Sequence, residues 1–446
     1  MKKRKTIRPT PVSFLFLSSN LLGQTFDQAW VTCYNNAMKK YILSLCFLLI
    51  LFFTSAVAAE EPDIAAQNVI AVETSTGKVL YDKNADSKNY IASISKILTI
   101  YLVLENIHEG KLSWDTEVSL SDYAYGLVED PTISNPGMTN RVYTVRELVN
   151  ASMVVSANSA AIALAEKVAG SEPAFVDLMR AKLEEWGITD YQIVNSSGLN
   201  NSALNGNIYP NSGENDENML SAKSVAIIAY HLIQDFPEIL DISSQSSVEL
   251  GDESYATSNK MLAGQILERQ GVDGLKTGTT ELAGQTLVIT SKENGMRIIA
   301  VILHADNADS DDYARFTEAS KLLDYLYQTF ELTDLYSSGQ HLHSLAISNE
   351  STKKVTPYVK DSLTVVRRKG SDVSETITLD LAYNKLTSPI SKNQKIGRLI
   401  FNDPDVIGDG YLFKEPSISL YSSEKITQSW QSHLKAFFQN LLKKFF

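Results

Sequence analysis

Ser93 and Lys96 stand three residues apart in ASISKIL (92–98), at the head of a stretch that is otherwise almost wholly apolar and continues through TIYLVL. Lysine is among the side chains least often buried, because stripping water from an unpaired ammonium costs several kcal/mol. On a helix this spacing puts both side chains on one face, where the amine reaches the hydroxyl. Burial lowers a lysine pKa, and a neutral amine can take the proton of a serine. The pair thus has the make-up of a nucleophile and its base. The bland alternative is a lysine whose stem lies in the apolar helix and whose head reaches water. Spacing alone decides little, since Ser-x-x-Lys recurs at Ser351/Lys354 and Ser422/Lys425 in exposed turns or a helix start. The first copy has company: Ser156-Ala157-Asn158 between two helical patterns, and Lys276-Thr277-Gly278 at the start of a strand pattern.

Elements to position these residues are legible around them. The segment NVIAVETSTGKVLYDKN (68–84) holds two β-rich runs, 69–72 and 78–81, joined by a Thr/Ser/Gly turn, and reads as a hairpin. Residues 94–104 are apolar around the whole circumference, which predicts a helix in a domain interior with Ser93 at its first turn. Thr144 and Glu147 have capping-box spacing before one helix, and Gly170 stops another. Residues 195–220 turn to Asn, Ser and Gly and read as loop. Two apolar β-branched runs flank Asn294-Gly295, a strong hairpin signal, and RFTEASKLLDYLY (315–327) predicts a helix closing this domain. The order of elements makes the domain α+β or α/β, with helices against an antiparallel sheet.

After about residue 335 short Val/Ile/Leu/Thr runs alternate with Lys-Gly, Asn-Gln and Asp-Gly turns, the pattern of a small all-β domain. From Ile426 onward Trp430, Leu434, Phe437, Phe438, Leu441, Leu442, Phe445 and Phe446 fall at helical spacing, opposed by Lys425, Lys435 and Lys443. An aromatic-rich apolar face opposed by lysines predicts a helix lying in a membrane interface, the alternative being a helix packed on the β domain.

The chain has 446 residues, a hydrophobic fraction of 44% and a formal net charge of −12. That is material for two or three domains, and the acidic balance argues against nucleic acid as a partner. From Met38 a basic start (Lys39, Lys40), an apolar run over 41–53 and Ala56-Val57-Ala58 form a secretory signal pattern, with cleavage expected after Ala58 or Ala59. The run is short of the ~20 residues that span a bilayer. Residues 1–37 are then expected to be an extension ahead of the true start at Met38. Cys33 and Cys46 both precede the cleavage site, which removes thiol chemistry and disulfides from the mature chain. No metal site is expected: His341 and His343 could share a strand face but lack a third ligand, and no cofactor motif is present. The organisation read from the sequence is 1–37 extension, 38–59 signal peptide, 60–333 catalytic domain, 334–420 all-β domain and 421–446 amphipathic membrane-anchoring helix.

The three clusters in this order are those of class A β-lactamases and penicillin-binding proteins. With SSGLN (196–200), DGLKTGTT (273–280), GMRIIAVIL (295–303), RFTEASKLLDY and LTSPISKNQKIGRLIF (386–401), the chain more closely resembles the D-alanyl-D-alanine carboxypeptidases of low molecular mass, from about residue 62 to the end. The resemblance implies a penicillin-binding, β-lactamase-like transpeptidase domain, followed by the all-β domain and terminal helix. It implies Ser93 as nucleophile, Lys96 as its base, Ser156 relaying a proton to the leaving amine and Asn158 holding the substrate amide. Lys276 adds positive charge; Thr277, Gly278 and Thr279 line the substrate carboxylate site, with Arg297 as a further carboxylate contact. The backbone N–H groups of Ser93 and Thr279 form the oxyanion hole. Partners implied are peptidoglycan stem peptides ending in D-Ala-D-Ala, β-lactams and a membrane surface, with the enzyme on the outer face of the cytoplasmic membrane. Two positions depart from the family pattern: Ala157, where relatives often have Asp or Gly, and Thr279, where some have His. Rival readings are a β-lactamase and a non-catalytic wall-binding protein. Class A lactamases deacylate with the glutamate of Glu-x-x-Leu-Asn, and Ser196 stands in its place, so slow release of penicillin is expected. Some transpeptidation is chemically close to hydrolysis and stays open.

Overall fold

The computed structural model describes residues 60–131, 133–371, 377–382 and 385–445. The expected extension 1–37 and signal peptide 38–59 lie outside the described residues.

Alternation along AQNVIAVE builds strand β1 (Ala66–Glu73): Ile70 and Val72 enter one core, Val69 and Ala71 the other. A sheet with apolar side chains on both faces must be covered on both. β1 pairs with β2 (Val79–Lys83) as the hairpin pattern predicts. The motif strand β3 (Val272–Thr280) is followed by β4 (Gly284–Glu293) and β5 (Met296–Ala305). Asn294 and Gly295, both at positive φ, turn β4 into β5, as a tight two-residue hairpin requires. The sheet order is β2-β1-β5-β4-β3, antiparallel throughout.

One face carries the helical layer that holds the site. Its central member is α1 (Lys96–His108), buried from Lys96 through Leu104, preceded by a 3₁₀ turn over Ala92–Ser95. Ser93 thus sits in the 3₁₀ turn and Lys96 opens the α-helix. Around α1 pack α2 (Val145–Val154), α3 (Asn158–Ala169), α4 (Glu172–Glu185) and α5 (Ala222–Asp235). The Thr144/Glu147 capping box is formed, and Gly170 ends α3 at φ +82°. On the other face lies α6 (Ala314–Thr329), with Phe316, Leu322, Leu323 and Leu326 buried against the sheet.

Strand Phe330–Tyr336 leaves α6 without a loop and pairs with Leu363–Arg368. Beyond it β6 (Pro357–Val359), β7 (Ile377–Leu381), β8 (Lys395–Phe401) and β9 (Ser417–Ser422) form an antiparallel sheet in the order β6-β9-β8-β7 over a core of its own. The segment between β8 and β9 returns to the catalytic sheet and covers its β2 edge. Gly410 O accepts Val79 N–H at 2.8 Å, Gly77 O accepts Leu412 N–H at 2.8 Å, and a fully buried Lys78–Asp403 ion pair joins the two parts. An exposed edge strand invites pairing with other chains, and this contact closes it.

The final helix, α7 (Trp430–Phe445), starts later than the apolar spacing suggests. Ile426 bridges Ile390 and is buried in the β-domain core, leaving Trp430, Leu434, Phe437, Phe438 and Leu442 as exposed apolar side chains. Among the described residues no helix is long and apolar enough to cross a membrane.

Candidate active site

The 3₁₀ turn that carries Ser93 is wedged between two glycine-bearing segments. Ala92 is held at φ +48°. A Cβ on Gly198 would lie 1.9 Å from the Ala92 carbonyl oxygen, and one on Gly278 would lie 2.9 Å from Ile91 O and 2.4 Å from Thr286 Oγ1. Only glycine permits so close an approach, so the loop after α4 and the Lys-Thr-Gly strand both press on the Ser93 turn.

Lys96 is 0% exposed whereas Ser93 is half-buried. The Lys96 amine lies 2.8 Å from Ser93 Oγ, 2.7 Å from Asn158 Oδ1 and 2.6 Å from Ser197 O. The Asn158 amide cannot be turned over, because its Nδ2 donates to Ser134 O at 2.9 Å. Two partners of the amine are therefore carbonyl oxygens, which only accept. When Lys96 is neutral its two N–H bonds go to them, and its lone pair is left facing the Ser93 hydroxyl. Burial, and then the neighbouring charge of Lys276, hold the Lys96 pKa well below that of an ordinary lysine, with Glu172 opposing them.

The opposite wall comes from β3. Lys276 is 1% exposed and donates to Thr277 O at 3.0 Å. Burial and then the Arg315 charge lower its pKa to about 7. Thr277 Oγ1 shares a 2.8 Å hydrogen bond with Ser258 Oγ, and Ser258 N–H donates to Val154 O at 3.1 Å. Ser156 stands between α2 and α3 at φ +63°, two residues before Asn158 opens α3. Thr279, exposed at the strand end, accepts from Arg315 Nη2 at 2.9 Å. Arg315 also donates to Gly278 O at 2.6 Å and Thr286 O at 3.1 Å, and burial lowers its pKa to about 10.

Arg297 does not reach the carboxylate site expected for it. It lies on β5, which is separated from β3 by β4, and its guanidinium is locked on Asp273 in a bidentate pair at 2.8 and 2.7 Å. Asp273 and Thr279 are at opposite ends of β3, about 20 Å apart at ~3.3 Å per residue. The cation beside Thr279 is Arg315, in the first turn of α6, where the sequence signals a helix but not the strand end beneath it. Ser258 was equally hidden, in a polar loop without periodicity. Ser196, fully buried, has its hydroxyl on Glu172 Oε1 at 2.5 Å. His341 stacks on Tyr358 in the β domain.

A lysine where triad hydrolases use histidine marks the class: serine acyl-transfer enzymes that run on a Ser-Lys pair. The family follows from comparison. The D-alanyl-D-alanine carboxypeptidase family profile matches residues 55–307, and that of the penicillin-binding protein 5 C-terminal domain matches residues 330–428. The chain belongs to this family of penicillin-binding proteins and is a serine-type D-Ala-D-Ala carboxypeptidase, a hydrolase. It is 26% identical to the D-alanyl-D-alanine carboxypeptidase DacF of Bacillus subtilis (strain 168), over 83% of this chain and 92% of that one. Among solved structures it is similar to a peptidoglycan synthesis regulatory factor (PBP3) from Streptococcus pneumoniae, with TM-score 0.74, 42% identity and coverage of 82% of this chain and 100% of that one. Penicillin-binding protein 5 from Haemophilus influenzae is similar with TM-score 0.65, 25% identity and coverage of 83% and 100%.

Proposed function

We propose that Ser93 is the nucleophile that removes the terminal D-alanine from peptidoglycan stem pentapeptides, with Lys96 as its base. The observation that carries this reading is the buried Lys96 amine 2.8 Å from Ser93 Oγ, with two carbonyl oxygens to take up its N–H bonds. In acylation, Ser93 Oγ attacks the carbonyl of the penultimate D-alanine while its proton passes to Lys96 Nζ. The tetrahedral oxyanion rests on the backbone N–H groups of Ser93 and Thr279. Ser156 relays a proton to the departing amine, Asn158 holds the substrate amide, and D-alanine leaves. The C-terminal carboxylate is held by the Thr277 and Thr279 hydroxyls beside Gly278, with Lys276 and Arg315 supplying the positive field. Water then attacks the acyl carbonyl and gives a proton to Lys96, which returns one to Ser93 Oγ as the ester bond breaks and the shortened peptide leaves. A β-lactam enters the same steps, but the acyl-enzyme persists because the place of the lactamase glutamate holds Ser196.

The enzyme works outside the cytoplasmic membrane after removal of residues 38–59. Helix α7 lies on that membrane through Trp430, Phe437 and Phe438, which are 76, 62 and 55% exposed. The β domain spaces the active site from the lipid.

The test is release of D-alanine from a peptide ending in D-Ala-D-Ala. Lys96→Ala is expected to lose roughly 100- to 10,000-fold in turnover, falling to the level of Ser93→Ala. Turnover retained in Lys96→Ala would give the proton to another group.

A further inference from the structure

Glu172, the first residue of α4, is 5% exposed and has no part in the steps above. Its Oε1 accepts Ser196 N–H at 2.9 Å and Ser196 Oγ–H at 2.5 Å, and its Oε2 accepts the Tyr123 hydroxyl at 2.9 Å. All three partners donate. The Ser196 N–H can only donate, and the two hydroxyls, which can also accept, donate when the carboxyl is ionised, so the anion finds a full set of partners here.

The loop that Glu172 grips is the one that touches the base. Ser196 O accepts Thr99 Oγ1 at 2.6 Å, and Ser197 O accepts Lys96 Nζ at 2.6 Å. The two carbonyls of this dipeptide close on α1, while the amide and hydroxyl of Ser196 close on the carboxylate from behind. We propose that Glu172 is a positioning residue for Lys96: it holds the Ser197 carbonyl on the amine and fixes one negative charge behind it. This rests on Lys96 being the base.

The charges around the pair define the consequence. Lys96 faces Lys276 from β3, which favours the neutral amine, and Glu172 from α4, which favours the ammonium. Lys276 in turn faces Arg315 from α6. Glu172 faces Lys96, Tyr123 before α2 and Glu166 on α3, and burial, the largest influence on it, raises its own pKa. An amine desolvated beside a second lysine becomes a weak base. The buried carboxylate restores part of its basicity.

The experiment measures the second-order rate of acylation of the full chain by benzylpenicillin against pH. It compares wild type, Glu172→Gln and Glu172→Ala, with thermal unfolding alongside. Loss of the negative charge makes Lys96 easier to deprotonate, so in both variants the acid limb should move to lower pH, by about half a unit. Glutamine keeps acceptors for Ser196 and should hold its plateau rate within about threefold. Alanine removes the brace as well and should lose tenfold or more in plateau rate. Acid limbs that coincide with wild type would overturn the charge, and a wild-type plateau in Glu172→Ala would overturn the brace. A wild type that benzylpenicillin does not acylate would instead defeat the reading of Ser93 and Lys96 on which the proposal rests.

Discussion

An amine serves as a base only when it is rid of its proton and its lone pair is aimed, and around Lys96, the proposed base, different residues meet the two demands. Burial and Lys276 lower its proton affinity, while Asn158 and Ser197 take up its N–H bonds. The same division appears at Thr277, whose hydroxyl donates to the substrate carboxylate in the proposed reaction. Ser258 Oγ, 2.8 Å from Thr277 Oγ1 and 3.5 Å from Val154 O, is the side chain that sets where the Thr277 proton points. Ser258→Ala should therefore lower kcat/KM for a D-Ala-D-Ala peptide about three- to tenfold, the worth of one hydrogen bond. The loss should lie mainly in KM, with thermal stability little changed, and unaltered kinetics would show that the pairing is not used. That Ser93 and Lys96 lie together was legible in the sequence, because a polar pair at helical spacing in an apolar stretch stands out. Ser258 and Glu172 were not, since a serine in a polar loop and an acid in the first turn of a helix have ordinary local reasons to be there.

At the scale of elements, catalysis depends on how closely the Ser93 turn can be approached. The 1.9 Å separation between a Cβ at Gly198 and Ala92 O leaves no room for a methyl group, and Gly198 sits at φ +82°. Gly198→Ala should displace the turn, abolish acylation by penicillin and lower the melting temperature by several degrees, an effect of about 1 to 3 kcal/mol. Wild-type acylation rates in that variant would mean the turn is not clamped. The elements themselves were largely readable: Thr144 with Glu147, Gly170, and Asn294-Gly295 each mark a boundary through local backbone chemistry. The misplaced Arg297 shows where such reading stops. Hairpin signals give β4 and β5 but not sheet order, so strand neighbours and the end of β3 on which a cation falls depended on tertiary register. Ile426 failed similarly, since helical spacing from that point does not reveal that its side chain completes the β-domain core.

Across the whole molecule, the β domain is joined to the catalytic domain by more than the connecting strand. Lys78 and Asp403 are buried together, and Tyr411 donates to the same carboxylate at 2.8 Å. Removing one partner of such a pair costs about 3 to 5 kcal/mol, because the other charge stays buried. The proposed anchor begins at the edge of this body: Ser429 N–H donates to Glu350 Oε1 at 2.7 Å, Ser432 Oγ donates to Asn349 O at 2.5 Å, and the exposed apolar side chains start at Trp430. A chain ending after Ser429 keeps Ile426 in its core and should remain folded and active while moving from the membrane fraction to the soluble one. Continued sedimentation with membranes would place the anchor elsewhere.

The central claim, an acyl-enzyme on Ser93, is met most directly by intact-mass and peptide-mass spectrometry of the full chain after incubation with benzylpenicillin, beside Ser93→Ala. A long-lived penicilloyl adduct on the peptide containing Ser93, absent from the variant, is the predicted result. An adduct that survives the substitution, or none in wild type, would contradict it.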